Sequence, residues 1–244
     1  MNKLMILAAV AAMAGAAVAE SKCEIPVPQG KLETYAGPKS RFQEKLDEIK
    51  ANGKEGYDLV MVGDSITHFF ETSYGKEVSQ KRFAGYKVLN LGIGGDATQH
   101  VIWRFEHGQL DGYKAKVFML MIGCNNSWDE AKDIIAGTKK IIAQIQKKHP
   151  ESVIVYSPIL PRWGAFPPRP AITLDQKNEE VGNAIKAMCD GKKLVYVNFN
   201  KPFRDEKGAQ VRKMYAPDML HIAAPAYELW ADNLMPIVKK VCKK

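Results

Sequence analysis

The stretch LVMVGDSITHFF, residues 59–70, runs four apolar residues into Gly63-Asp64-Ser65 and then resumes an apolar pattern. Gly-Asp-Ser is turn chemistry, and Asp or Ser often caps a helix, so a purely structural reading is available. A second reading presents Ser65 at a strand end, where a nucleophile must sit to meet a substrate. The rest of the chain decides between them, because a serine nucleophile needs a base, an orienting acid and donors for an oxyanion.

Four more short apolar runs follow: KVLNLG (87–92), KVFMLMIG (116–123), SVIVYSP (152–158) and KLVYVNF (193–199). Each is apolar or β-branched over nearly its whole length, as strands covered on both faces are. Helical spacing of apolar residues fills the intervals at 40–53, 97–108, 128–149 and 172–191, and again at 223–242, where Pro236 predicts a kink. Alternating strands and helices imply a parallel sheet with right-handed crossovers. The expected fold is α/β, a three-layer α/β/α sandwich on a five-stranded parallel sheet.

The first nineteen residues, MNKLMILAAVAAMAGAAVA, have the pattern of a signal peptide. Lys3 gives the positive start, Leu4 to Met13 the apolar core, and Ala17-Val18-Ala19 a small-residue cleavage site. This predicts export to a secreted or periplasmic location. Cleavage would lower the formal charge from +8 by one lysine, with the remaining basic residues scattered through amphipathic segments. Scattered charge is a solvated surface rather than a nucleic-acid footprint. No later stretch reads as a membrane span. Residues 20–39, with Pro26, Pro28, Gly30, Gly37 and Pro38, read as an irregular arm, and 40–244 as one domain.

Cys23, Cys124, Cys189 and Cys242 lack the paired spacings of a zinc site. Free buried thiols are the default, and an exported chain leaves a disulfide open among Cys23, Cys189 and Cys242. The stretch ILPRWGAFPPRPA (159–171) carries four prolines and reads as a loop from the carboxyl edge of the fourth strand. Open α/β sheets bind ligands at that edge, so Trp163 and Phe166 are candidate substrate walls.

The same edge gathers the remaining chemistry. Ser65 ends the first strand, the second runs into Gly92-Ile93-Gly94-Gly95-Asp96, and the third ends in Gly123-Cys124-Asn125-Asn126. Asp218-Met219-Leu220-His221 precedes the last helix. A free hydroxyl is a poor nucleophile, so His221 is the candidate base and Asp218 its orienting acid. The Ser65 and Gly95 backbone amides and the Asn125 side chain are candidate oxyanion donors. Gly92-x-Gly94 lacks the spacing of a dinucleotide fingerprint. His100, His107 and His149 read as structural, His68 is held in reserve near Ser65, and Asp64 reads as the residue that holds the turn.

With those residues assembled, GDSIT, NLGIGGDATQHVIWR, MIGCNNSW and DMLHIAAPAYELWA resemble the ordered blocks of the SGNH (GDSL-type) esterase superfamily. The subgroup most similar is that of platelet-activating-factor acetylhydrolase catalytic subunits and their secreted bacterial relatives. The resemblance covers about residues 40–238 and implies Ser65 as nucleophile, Gly95 and Asn125 in the oxyanion hole, and Asp218 with His221 completing a triad. It also implies a flavodoxin-like sheet, no cofactor and no metal. Cys124 stands where relatives usually carry a small hydroxyl residue. Met219 replaces a common glycine and is expected to narrow the substrate pocket. The implied substrate is a small acyl ester, acetyl on carbohydrate first, with a lysophospholipase or thioesterase, or a non-catalytic carbohydrate-binding protein, as alternatives.

Overall fold

The computed structural model describes residues 20–30, 40–162, 164–166 and 169–243. Residues 1–19, where a signal peptide is expected, residues 31–39 and Trp163 lie outside the described residues. The sheet is built from β1 (Tyr57–Gly63), β2 (Val88–Asn90), β3 (Ala115–Met121), β4 (Val153–Tyr156) and β7 (Leu194–Tyr196). All are parallel, in the order β2-β1-β3-β4-β7. Around it run α1 (Arg41–Asn52), α2 (Ser65–Thr72), α3 (Lys76–Arg82), α4 (Thr98–Arg104), α5 (Ala131–Lys148), α6 (Leu174–Lys186) and α7 (Ala224–Cys242).

Side chains alternate across each strand, and because both faces are covered every second residue joins a different core. Leu59, Met61, Val117, Met119, Met121 and Val155 pack with Phe70, Tyr227, Trp230 and Leu234 from α2 and α7. Val60, Val62, Phe118, Leu120, Ile154 and Tyr156 pack with Val101, Ile102, Ile141, Ile145 and Ile185 from α4, α5 and α6. All seven residues of β1 are buried. This is why the run before Ser65 is apolar without alternation.

One local expectation changes. The proline-rich stretch is not wholly irregular: Ala165–Phe166 (β5) and Arg169–Thr173 (β6) pair antiparallel in a small ribbon. Proline forbids a helix there but is compatible with edge strands, whose amides need no ladder partner. Phe166 lies in β5, its side chain outside the described residues, so a wall role for Trp163 and Phe166 stays an expectation. The last helix, where Pro236 predicts a kink, continues past that proline to Cys242, held along its length by Tyr227, Trp230, Leu234 and Val238 in the core. Tertiary burial there outweighs the lost amide hydrogen bond.

Candidate active site

Ser65 is the first residue of α2, directly after the β1 end. The Asp64 carboxylate caps that helix, Oδ1 accepting from the Ile66 amide at 2.9 Å. The turn is tight enough to demand Gly63: a Cβ there would lie 2.1 Å from Thr67 Oγ1 and 2.5 Å from the Met121 carbonyl. Sequence thus dictates an elbow: a buried strand, a glycine with no room, a cap, then the hydroxyl. Asp64 is itself buried, and burial, aided by the nearby Asp96 charge, pushes its carboxyl up to about 7 against the Ile66 hydrogen bond.

The candidate base comes from far along the chain. Residues 215–222 form a small closed turn, bridged between Tyr215 and Ile222 and tied by the Ala216 amide donating to the His221 carbonyl at 2.7 Å. Asp218 Oδ1 accepts the Leu220 and His221 amides at 3.0 and 2.9 Å. Its Oδ2 lies 2.5 Å from His221 Nδ1, and His221 Nε2 lies 2.8 Å from Ser65 Oγ. A carboxylate can only accept, so the imidazole carries its proton on Nδ1 and Nε2 accepts from the serine hydroxyl. Burial works to raise the Asp218 carboxyl, but the hydrogen bonds from His221 and Leu220 outweigh it and hold it at about 2. The Phe69 ring packs 4.7 Å from the imidazole.

Two loops bring the candidate donors to the same edge. Asn125 follows β3 in a turn closed by the Asn126 amide on the Gly123 carbonyl, and its side chain is exposed. One hydrogen of its amide is committed to the Asp96 carbonyl at 2.9 Å, which joins the two loops and leaves the other hydrogen for a ligand. Gly95 has φ +87° in a turn closed by the Asp96 amide on the Ile93 carbonyl. Beneath it Asp96 and Arg104, both fully buried, form an ion pair at 2.8 Å.

Lys177 is a residue of the site's support that sequence reading missed. Its amine donates to the carbonyls of Asn126, Ser127 and Asp129 at 3.0, 2.9 and 3.3 Å, so a buried cation braces the Asn125 loop. Burial pulls that amine down to about 8. The signal was present: Lys177 sits on the apolar stripe of α6 with Leu174, Val181 and Ile185, where a lysine needs a dedicated partner.

The other candidates separate cleanly. His68 makes no hydrogen bond to Ser65, and burial with the Arg41 charge lowers it to about 4, so it stays neutral. His100 accepts the Ala97 amide at 2.9 Å and is likewise lowered by burial to about 4. Cys124 receives the Arg162 guanidinium on its carbonyl at 3.0 Å, and burial pushes its thiol up to about 12. A thiol so disfavoured as thiolate is a packing residue. All four cysteines are free. Met219 has φ +59°, a left-handed backbone that glycine adopts without strain, and its half-buried side chain packs against the α7-side core. Two cavities, of 660 Å³ beside α6 and β7 and 1130 Å³ at the opposite end of the sheet, contain no triad residue, so Ser65 opens on neither.

Residues 61–229 match the GDSL-like Lipase/Acylhydrolase family. The chain belongs to that family. This GDSL-like acylhydrolase is 32% identical over 134 residues to the human platelet-activating factor acetylhydrolase IB subunit alpha1, an overlap of 55% of this chain and 54% of the relative. It therefore spans about half the length of the curated relatives it matches. In fold it resembles a GDSL-like lipase from Bacteroides thetaiotaomicron, with TM-score 0.63, 16% identity, and 82% of this chain and 98% of that chain covered. It also resembles a mutant of an acetyl-xylooligosaccharide esterase from Geobacillus stearmophilus, with TM-score 0.56, 18% identity, and 76% and 95% covered. The five-stranded α/β sandwich is the GDSL-like fold. Among the described residues no helix is long and apolar enough to cross a membrane.

Proposed function

We propose that this GDSL-like acylhydrolase is an exported serine esterase that removes small acyl groups, acetyl first, from hydroxyl-bearing substrates such as carbohydrates. The observation that carries the reading is the unbroken hydrogen-bond chain from Ser65 Oγ through His221 to Asp218 at the carboxyl edge of the sheet. Ser65 Oγ attacks the ester carbonyl carbon while His221 Nε2 takes its proton, and Asp218 steadies the imidazolium. The carbonyl oxygen becomes an oxyanion facing the Ser65 and Gly95 amides and the free Asn125 hydrogen. As the tetrahedral species collapses, the C–O bond to the alcohol breaks and His221 returns the proton to the departing oxygen. Water then repeats the sequence on the acyl-serine, releasing the carboxylic acid and restoring the hydroxyl.

Export is supported by the 1–19 leader pattern, and acetyl specificity by the relatives' names and by bulk at Met219 beside Asp218. Carbohydrate as the alcohol rests on the acetyl-xylooligosaccharide esterase neighbour. The deciding experiment treats the purified chain with a fluorophosphonate and assays chromogenic acetate and octanoate side by side. Labelling at Ser65 with acetate preferred is the expected result. Octanoate preference would move the reading to a lipid esterase or thioesterase, and failure to label or hydrolyse would leave a binding protein.

A further inference from the structure

We propose that Gln29, in the arm ahead of the domain, is a positioning residue that locks the Gly94–Gly95 peptide with its N–H toward the oxyanion. This rests on the esterase reading and on Gly95 acting as a donor. The arm is built into the site: the Cys23 carbonyl accepts from Thr98 Oγ1 at 3.1 Å, and Asn126 Nδ2 donates to Cys23 Sγ at 3.3 Å. Ser21 Oγ donates to Asp133 at 2.9 Å, and Lys140 to the Glu24 carbonyl at 2.8 Å. These contacts deliver Gln29, itself buried, to the turn that carries Gly95.

There Gln29 Nε2 donates to the Gly94 carbonyl at 3.0 Å. That carbonyl and the Gly95 N–H belong to one planar trans peptide and point in opposite directions. Holding the oxygen from the arm side therefore aims the N–H to the other side. The peptide lies against the nucleophile, since a Cβ built on Gly94 would be 3.8 Å from Ser65 Cβ. It is also the middle peptide of the Ile93–Asp96 turn, whose third residue has φ +87° as a type II turn requires. The middle peptide is the unit that flips between type II and type I, and a flip would turn the Gly95 N–H away. Gln29 opposes the flip by that hydrogen bond, and its amide packs so closely on the Gly95 α-carbon that a Cβ there would lie 2.5 Å from Nε2. A carbonyl that accepts a hydrogen bond also polarises its own peptide N–H, which strengthens the donor.

The test compares Gln29→Ala and Gln29→Glu with the parent and Asn125→Ala, on p-nitrophenyl acetate and in fluorophosphonate inactivation. Glutamate keeps the shape, but its carboxylate cannot donate, so both variants should behave alike. Loss of one neutral hydrogen bond predicts a fall in kcat of about threefold to tenfold, with KM nearly unchanged and a parallel fall in inactivation rate. Melting temperatures should stay close to the parent's. Parental kcat in both variants, or a loss carried by KM, overturns the positioning role while Asn125→Ala still reports on the hole. Full activity in Gln29→Glu alone overturns it too, because shape would then suffice. A parent that neither hydrolyses acetate nor reacts with the fluorophosphonate overturns the esterase reading, and this role with it.

Discussion

The elbow at Ser65 and the turn at Asp218–His221 meet across a 2.8 Å hydrogen bond, yet they are held by different forces. Ser65 hangs from the most buried strand of the sheet, with Gly63 wedged between Thr67 and Met121 and a buried Asp64 cap. His221 sits in a turn whose Asp218 carboxylate is 46% exposed and whose order comes from short-range hydrogen bonds from the Leu220 and His221 amides. The proposed nucleophile is placed by the core, and the proposed base is placed by its own turn and then delivered by packing of α7. Substitutions of the packed elbow residues Gly63 and Asp64 should therefore couple chemistry to stability, and those on the turn side, or of the Ser65 hydroxyl alone, should separate them.

The largest effects test the junction itself. Ser65→Ala and His221→Ala should each lower kcat on the order of 10⁶-fold, whereas Asp218→Ala should lower it on the order of 10⁴-fold, because the carboxylate orients rather than transfers. Melting curves of all three should overlay the parent's. Parental activity of His221→Ala would remove the turn from the mechanism and return attention to His68.

Next comes the donor that bridges the two glycine-rich loops. Asn125→Ala should lower kcat by about 100- to 1,000-fold with little change in KM, since the oxyanion exists only along the reaction path. A rise in KM at constant kcat would mark Asn125 as a ground-state contact.

The elbow's buried acid gives a pH-dependent difference. Asp64 titrates at about 7 in the folded chain, above the ordinary carboxylate range of the unfolded one. The folded state then binds the extra proton between those values, so its contribution to stability is favourable at low pH and lost as pH rises through about 7. Asn caps a helix as well as Asp but does not titrate. Asp64→Asn should therefore match the parent near pH 4 and exceed it by about 4 kcal/mol at pH 8, read from denaturant melts. A constant offset across pH would mean that the carboxyl is not held protonated.

The smallest effect belongs to the turn. Met219→Gly relieves a left-handed backbone, about 1–2 kcal/mol, and gives up a half-buried thioether and some unfolded-state entropy. Stability should barely move, while the butyrate-to-acetate ratio of kcat/KM rises about threefold to tenfold. An unchanged ratio would assign the side chain to the core alone.

The sequence by itself determined the layers. Unbroken apolar runs at 59–62, 117–122 and 153–156 admit only strands covered twice, and helical spacing between them leaves a parallel sandwich. It determined the elbow as well, because glycine, cap and hydroxyl are neighbours in the chain and their chemistry is local. Ser65, Gly95 and Asn125 were legible as candidates because each follows a strand at one sheet edge, and Asp218 and His221 because they stand three apart just ahead of the last helix. What only the tertiary structure decided is contact over long separations. Gln29 and Gly94 are 65 residues apart, and Lys177 and Asn126 are 51 apart. No local pattern in a proline-rich arm marks one glutamine as the partner of a distant carbonyl. The two-stranded ribbon of β5 and β6 and the continuation of α7 past Pro236 belong to the same class. Local propensity states what a segment prefers alone, and burial against the rest of the chain sets what it becomes.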